Sequence, residues 1–146
     1  MHVRDLLGRK QSTMITVDAS EPVQDAIRLM IDHNVGGLPV VASDGTVVGF
    51  VAERDMIQAM HEHQTTVHTL PVERVMRPIP VCDADEPIEE AMRRMTSQRQ
   101  RHLLVNDKGK FIGVISVGDI VKHRLEQLET ETGVLRDYVA AQRARR

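Results

Sequence analysis

The chain repeats itself. Residues 20 to 60 and 85 to 124 follow one pattern, in which Glu21-Pro22 answers Glu86-Pro87 and Ala26, Arg28 and Met30 answer Ala91, Arg93 and Met95 at constant spacing. Leu38 and Val40 answer Leu103 and Val105. After one residue is dropped in a turn, Gly45, Gly49 and Asp55 answer Gly109, Gly113 and Asp119. The lost residue falls between Val41-Ala42-Ser43-Asp44-Gly45 and Asn106-Asp107-Lys108-Gly109, where turn residues predominate and a length change costs little. A duplication constrains a 146-residue chain more than any composition does: both halves must fold alike, and equivalent surfaces become available to pair.

Each copy reads as β-α-β-β-α. The runs Met14-Ile15-Thr16-Val17 and Ile79-Pro80-Val81-Cys82 read as first strands, the second placed at a sheet edge by its prolines. Ser20 and Asp85 stand near helix starts, with Pro22 and Pro87 in the first turn, where a missing N–H is harmless. Val23, Ala26, Ile27 and Met30 fall at i, i+3, i+4 and i+7, as do Ile88, Ala91, Met92 and Met95, so each helix buries one stripe. Leu38 to Val41 with Val47 to Val51, and Leu103 to Val105 with Phe111 to Ile115, are pairs of strands across Asp44-Gly45 and Lys108-Gly109 turns. A last helix starts near Asp55 or Asp119. A unit of about fifty residues buries too little apolar surface to be secure alone. The expectation is therefore an α+β fold in which the two copies pack sheet to sheet about a pseudo-twofold axis, with a cleft on each side and a helix at the C-terminus.

Composition removes several functions. Nineteen Lys plus Arg against twenty-one Asp plus Glu give a formal charge of −2, so no global basic field favours nucleic acid or an anionic membrane. With no Trp, one Tyr and two Phe, a base-stacking platform is missing too. No apolar run approaches the roughly 20 residues of a membrane helix, and Met1-His2-Val3-Arg4 lacks the apolar stretch of a signal peptide. The lone Cys82, on a strand, reads as a small buried hydrophobe, and the compartment this implies is cytoplasmic.

The residues Leu38-Pro39-Val40-Val41 and Gly49-Phe50-Val51-Ala52-Glu53-Arg54-Asp55 recur as Arg101-His102-Leu103-Leu104-Val105 and Gly113-Val114-Ile115-Ser116-Val117-Gly118-Asp119. In both copies, in register, they resemble CBS domains, and the whole resembles a tandem pair, or Bateman module, of the stand-alone bacterial type. The resemblance implies a non-enzymatic regulatory module that binds an adenosine-containing ligand of the AMP, ATP, NAD or S-adenosylmethionine class between the copies and signals to an unknown regulated protein. It implies no required cofactor, and it favours homodimers. The family's Gly-x-x-Ser/Thr-x-x-Asp motif carries over onto Gly113, Ser116 and Asp119, with Val114 between, the hydroxyl and carboxylate reaching phosphate and ribose. The first copy departs from it, with Ala52 at the hydroxyl position before Asp55, which makes its cleft the weaker one. By the same carry-over Arg101 and His102 meet phosphates, where the first copy has Gly36 and Gly37. Lys10, Thr13 and Ile15 match positions that line the adenine.

On chemistry alone, a carboxylate can accept both hydroxyls of a ribose. Ser116-Val117-Gly118-Asp119 equally has the spacing of a helix capping box, and the two roles are compatible because such an N-terminus also favours an anion. Arg54, Arg101 and His102 are candidate phosphate donors, against surface or inter-copy ion pairs. Arg93, Arg94 and Arg99 read as solvated helix-face charges. His61, His63 and His68 lack zinc-hydrolase spacing and read as solvated linker, so no metal site is expected. The boundaries that follow are a first repeat at 8–62, a linker at 63–72, a second repeat at 73–125 and a helical tail at 126–146. In that tail Val121, Leu125, Leu128, Thr132, Leu135 and Val139 advance in steps of four and three, an a/d seam of about three heptads, which serves either a partner subunit or the chain's own module. The competing reading of the whole chain is a structural or stress-response interaction protein whose clefts are vestigial.

Overall fold

The computed structural model of the chain describes residues 1–8 and 14–144. A short helix, α1 (Val3–Leu7), precedes two three-stranded sheets. In the first, β1 (Val17–Asp18) runs parallel to β2 (Gly37–Val41), and β2 pairs antiparallel with β3 (Val47–Ala52). The second has the same order, with β4 (Val81–Asp83), β5 (His102–Asp107) and β6 (Lys110–Ser116). Helices α2 (Val23–His33) and α4 (Ile88–Ser97) carry the parallel crossovers, and α3 (Glu53–His63) and α5 (Val117–Ala144) follow the last strand of each sheet. The β-α-β-β-α unit is present twice, as the periodicity required.

Each crossover helix buries the expected stripe, with Val23, Ala26 and Met30 inside one and Ile88, Ala91 and Met95 inside the other. Pro22 and Pro87 stand one residue earlier than the sequence suggested, as the caps of α2 and α4. The first strands are shorter and start later than their apolar runs. Pro80 has no N–H for the ladder and only accepts, from the Leu104 amide at 2.7 Å, while Met14 and Ile15 face a cleft. Both first strands lie at sheet edges, where the prolines belong.

The two repeats interlock through their leading segments. Helix α1 packs on the second repeat: Val3 and Leu6 join the core of Ile88, Leu103 and Ile115, and the Val3 amide donates to the Glu86 carbonyl at 3.0 Å. Residues 67–76 do the same for the first repeat, with Val67 and Val72 in the core of Val23, Leu38 and Val51, and the Val72 amide donating to the Glu21 carbonyl at 2.8 Å. The segment 63–72, read from sequence as a solvated linker, thus carries two buried valines in a pair of 3₁₀ turns. Gly49 and Gly113 make room for this exchange. A Cβ on Gly113 would lie 2.7 Å from Leu7, and one on Gly49 would lie 2.5 Å from Met76. Arg4 ties α1 down with bonds to Asp85 at 3.1 Å and Asp107 at 3.0 Å, which hold the Asp107 carboxyl below its ordinary range.

Phe50 and Ala52 of β3 meet Leu104 of β5 in a separate apolar cluster between the sheets. This contact sets the two halves against each other and leaves a cleft on either side. Helix α5 buries Ile120 and His123, while Val121, Leu125, Leu128 and Val139 are exposed, so these members of the seam do not pack back on their own body. No helix among the described residues is long and apolar enough to cross a membrane.

Candidate functional site

The chain turns from β6 into α5 at Ser116, and the capping box foreseen there is formed. The Ser116 amide donates to Asp119 Oδ2 at 2.7 Å, the Ser116 hydroxyl donates to the same oxygen at 3.1 Å, and the Asp119 amide donates to Ser116 Oγ at 3.2 Å. This fixes hydroxyl and carboxylate side by side at the positive end of a long helix. Both line a cleft of about 510 Å³ between the repeats. Ile15, Ile112 and Val114 give it apolar walls, and Asn34, Gly36 and His102 complete the rim. Apolar walls with a few convergent polar groups suit a flat base joined to a sugar.

The second cleft, about 420 Å³, occupies the equivalent place on the other side of the pseudo-axis and has different chemistry. Here Ala52 offers only its backbone amide, which donates to Asp55 Oδ2 at 2.7 Å. The Asp55 carboxylate is also held by Arg77, whose Nε donates at 2.9 and 3.1 Å, while Arg77 Nη1 donates to Gln100 at 3.1 Å. A ribose would have to displace a guanidinium to reach Asp55.

The residues expected to form one site are therefore divided. Ile15, Gly36, His102, Val114, Ser116 and Asp119 line the first cleft; Arg54 and Arg101 line the second, and Gly36 and His102 border both. Lys10 and Thr13 lie outside the described residues. The approach of the halves depends on Gly37: a Cβ there would sit 2.6 Å from the Phe50 ring, which itself lies 5.5 Å from the His102 ring, centroid to centroid.

Sequence reasoning missed Arg77, Gln100 and Arg99 at the second cleft. From sequence Arg99 reads as a helix-face charge, yet it stands just past α4 at the second-copy equivalent of Asn34, both with positive φ, 53° and 52°. Aligning the copies just beyond the crossover helices, where Asn34 and Arg99 coincide, marks it. Arg94 is not simply solvated either, because it bonds Glu86 at 3.0 Å and the Val81 carbonyl at 2.8 Å. Among the described residues no three His, Cys, Asp or Glu side chains converge on a metal position.

The CBS domain model matches this chain twice, at residues 3–62 and 72–126. The chain belongs to the CBS-domain family. Both matches begin at the interlocking segments, Val3 and Val72, so the CBS unit includes the strap that covers its neighbour. Among solved structures, a putative signal-transduction protein with CBS domains from Burkholderia ambifaria is 34% identical, with a TM-score of 0.81 over 86% of this chain and 95% of that one. CBSX2, solved in complex with AMP, is 29% identical, with a TM-score of 0.71 over 86% of this chain and 96% of that one. The inosine-5'-monophosphate dehydrogenase of Methanocaldococcus jannaschii is 35% identical over 115 residues, 76% of this chain. The chain spans only 22% of that enzyme and 63% of a 17.7 kDa Acidianus ambivalens relative, less than two thirds of either.

Proposed function

We propose that this CBS pair is a regulatory module that binds an adenosine-containing nucleotide in the Asp119 cleft and passes occupancy to a partner protein. The observation that carries the reading is the Ser116 and Asp119 pair at the polar end of an apolar-walled cleft built from both repeats. The AMP complex of CBSX2 supports the ligand class. Asp119 accepts the ribose hydroxyls, the walls around Ile15 and Val114 hold the base, and the helix N-terminus favours the phosphate. Lys10 and Thr13 belong to the same proposed site.

The signal follows from the connectivity. Ligand contacts come from β2 of one repeat and from β6 and α5 of the other, so occupancy favours one relative packing of the halves. Helix α5 starts at the site and carries the exposed seam of Val121, Leu125 and Leu128, which we assign to a second copy of the chain in a homodimer. A difference of a few kcal/mol between two arrangements suffices for a switch.

A thermal-shift panel with AMP, ADP, ATP, NAD and S-adenosylmethionine tests the reading. A ligand at about 100 times its dissociation constant adds about 2.7 kcal/mol of stability. Asp119→Ala is expected to abolish the response, and Asp55→Ala to change it little. If no ligand shifts the transition, the reading falls and the chain is an interaction protein. Sedimentation of Leu125→Asp tests the dimer, with a monomer expected.

A further inference from the structure

We propose that the second cleft is not a second nucleoside site but the phosphate subsite of the first, so that one nucleoside polyphosphate spans both clefts of each chain. The proposal rests on the nucleotide reading above. Its own basis is the way the two halves divide their chemistry. At equivalent positions the first copy carries Asn34-Val35-Gly36-Gly37 and the second carries Arg99-Gln100-Arg101-His102. The first set, with Ser116 and Asp119, makes a cleft that suits a base and a diol. The second makes a cleft rich in guanidinium.

Three features make the second cleft an anion site. Arg54, Arg99 and Arg101 are exposed along it, and none of the three has an ion-pair partner among the described residues. Arg77 occupies Asp55, which removes the group a second ribose would need, and Glu53 is the one carboxylate among the described residues that line this cleft. Four guanidiniums thus line the cleft beside one carboxylate. Arg99 is also held in the left-handed region, at φ 53°, where a long side chain is seldom found and where Asn34 stands in the first copy. That backbone turn puts an Arg at the cleft, where ordinary helix termination would use Gly or Asn.

The clefts are contiguous, since Gly36 and His102 border both. A Cβ on Gly36 would lie 3.3 Å from His102 Nε2 and 3.4 Å from Glu53 Oε1, so the absence of a side chain there keeps the shared rim low. Among the described residues that line the Asp119 cleft there is no Arg or Lys, and the cationic candidates are His33 and His102, while Lys10 of the proposed site is assigned to the adenine. A monophosphate is served within the first cleft. A di- or triphosphate chain continues over Gly36 and His102 to the arginines, whose planar forks suit phosphate oxygens.

Isothermal titration of the intact chain with adenosine, AMP, ATP and inorganic tripolyphosphate tests this. ATP is expected to bind one per chain and at least about tenfold more tightly than AMP, with a steeper loss of affinity in salt. In the Arg99→Gln, Arg101→Gln double variant ATP falls to the affinity of AMP, while AMP itself changes less than about twofold. Tripolyphosphate competes with ATP but not with adenosine. Equal affinities for AMP and ATP, two ATP per chain, or equal weakening of both by the double variant overturns the proposal while leaving the nucleotide reading intact. Absence of binding by adenosine, AMP and ATP alike overturns both.

Discussion

Shortening Val3 or Val72 to alanine tests whether the repeats are locked by exchanged straps. Both valines are fully buried, each opening the segment of one repeat while packing in the core of the other, and each anchors a backbone bond across that boundary. Valine to alanine removes two methyl-sized groups. At about 0.8 kcal/mol each this costs about 1.6 kcal/mol in transfer, and incomplete collapse of the cavity brings the total to about 2 kcal/mol. Because the two sites are pseudo-equivalent, the costs should match within about 0.5 kcal/mol. For a chain of this size, 2 kcal/mol lowers Tm by about 4–8 °C. Urea denaturation followed by circular dichroism reads the change in midpoint, with the slope unchanged and a single transition retained. Val48→Ala, at a half-exposed position on β3, serves as the control and is expected within about 0.5 kcal/mol of the parent. Two resolved transitions in the parent, or losses at Val3 and Val72 no larger than the control's, would refute the interlock.

Three further outcomes follow from the same packing. Cys82 is buried, and desolvation pushes its thiol up to about 12, so a thiol reagent at pH 8 should label it only as fast as the protein opens; rapid native labelling would contradict its burial. Because the folded value lies above the ordinary 9.0, the thiol's contribution to stability is intact below about pH 9 and is lost as pH rises toward 12. The Asp107 carboxyl is held down by Arg4, so its contribution is present above its ordinary 3.8 and is lost as pH falls through the lower folded value. Acid titration should release α1 first, seen as faster hydrogen exchange at Val3 and Leu6, and Arg4→Ala should give the same exchange at neutral pH. Gly37→Ala drives a methyl into the Phe50 ring, which is 1% exposed, and should cost about 1–3 kcal/mol in a melting experiment; a neutral result would mean the sheets separate more readily than their contact suggests.

The duplication made the architecture legible. Periodicity at Val23, Ala26 and Met30 and again at Ile88, Ala91 and Met95 requires two helices, and the apolar runs around Leu38 and Leu103 require the hairpins beside them. The Ser116 to Asp119 spacing announced the capping box that orients the site. What stayed hidden was long-range. Nothing local tells Val3 to cross to the second repeat or Val72 to the first, because a strap reads the same whichever core receives it. Arg77 was invisible for a similar reason: it closes on Asp55 only after the chain has passed through the 3₁₀ turns at 64–69 and 72–74. Resemblance points Arg101, and side-chain chemistry Arg54, to the same site as Asp119, whereas the pseudo-twofold axis carries both to the opposite cleft.

The most direct test of the account is a crystal structure of the chain grown with AMP. The account places the base between the walls that carry Ile15 and Val114, and the ribose hydroxyls on the Asp119 carboxylate beside Ser116. Nucleotide density elsewhere, with the Asp119 carboxylate untouched, would contradict it.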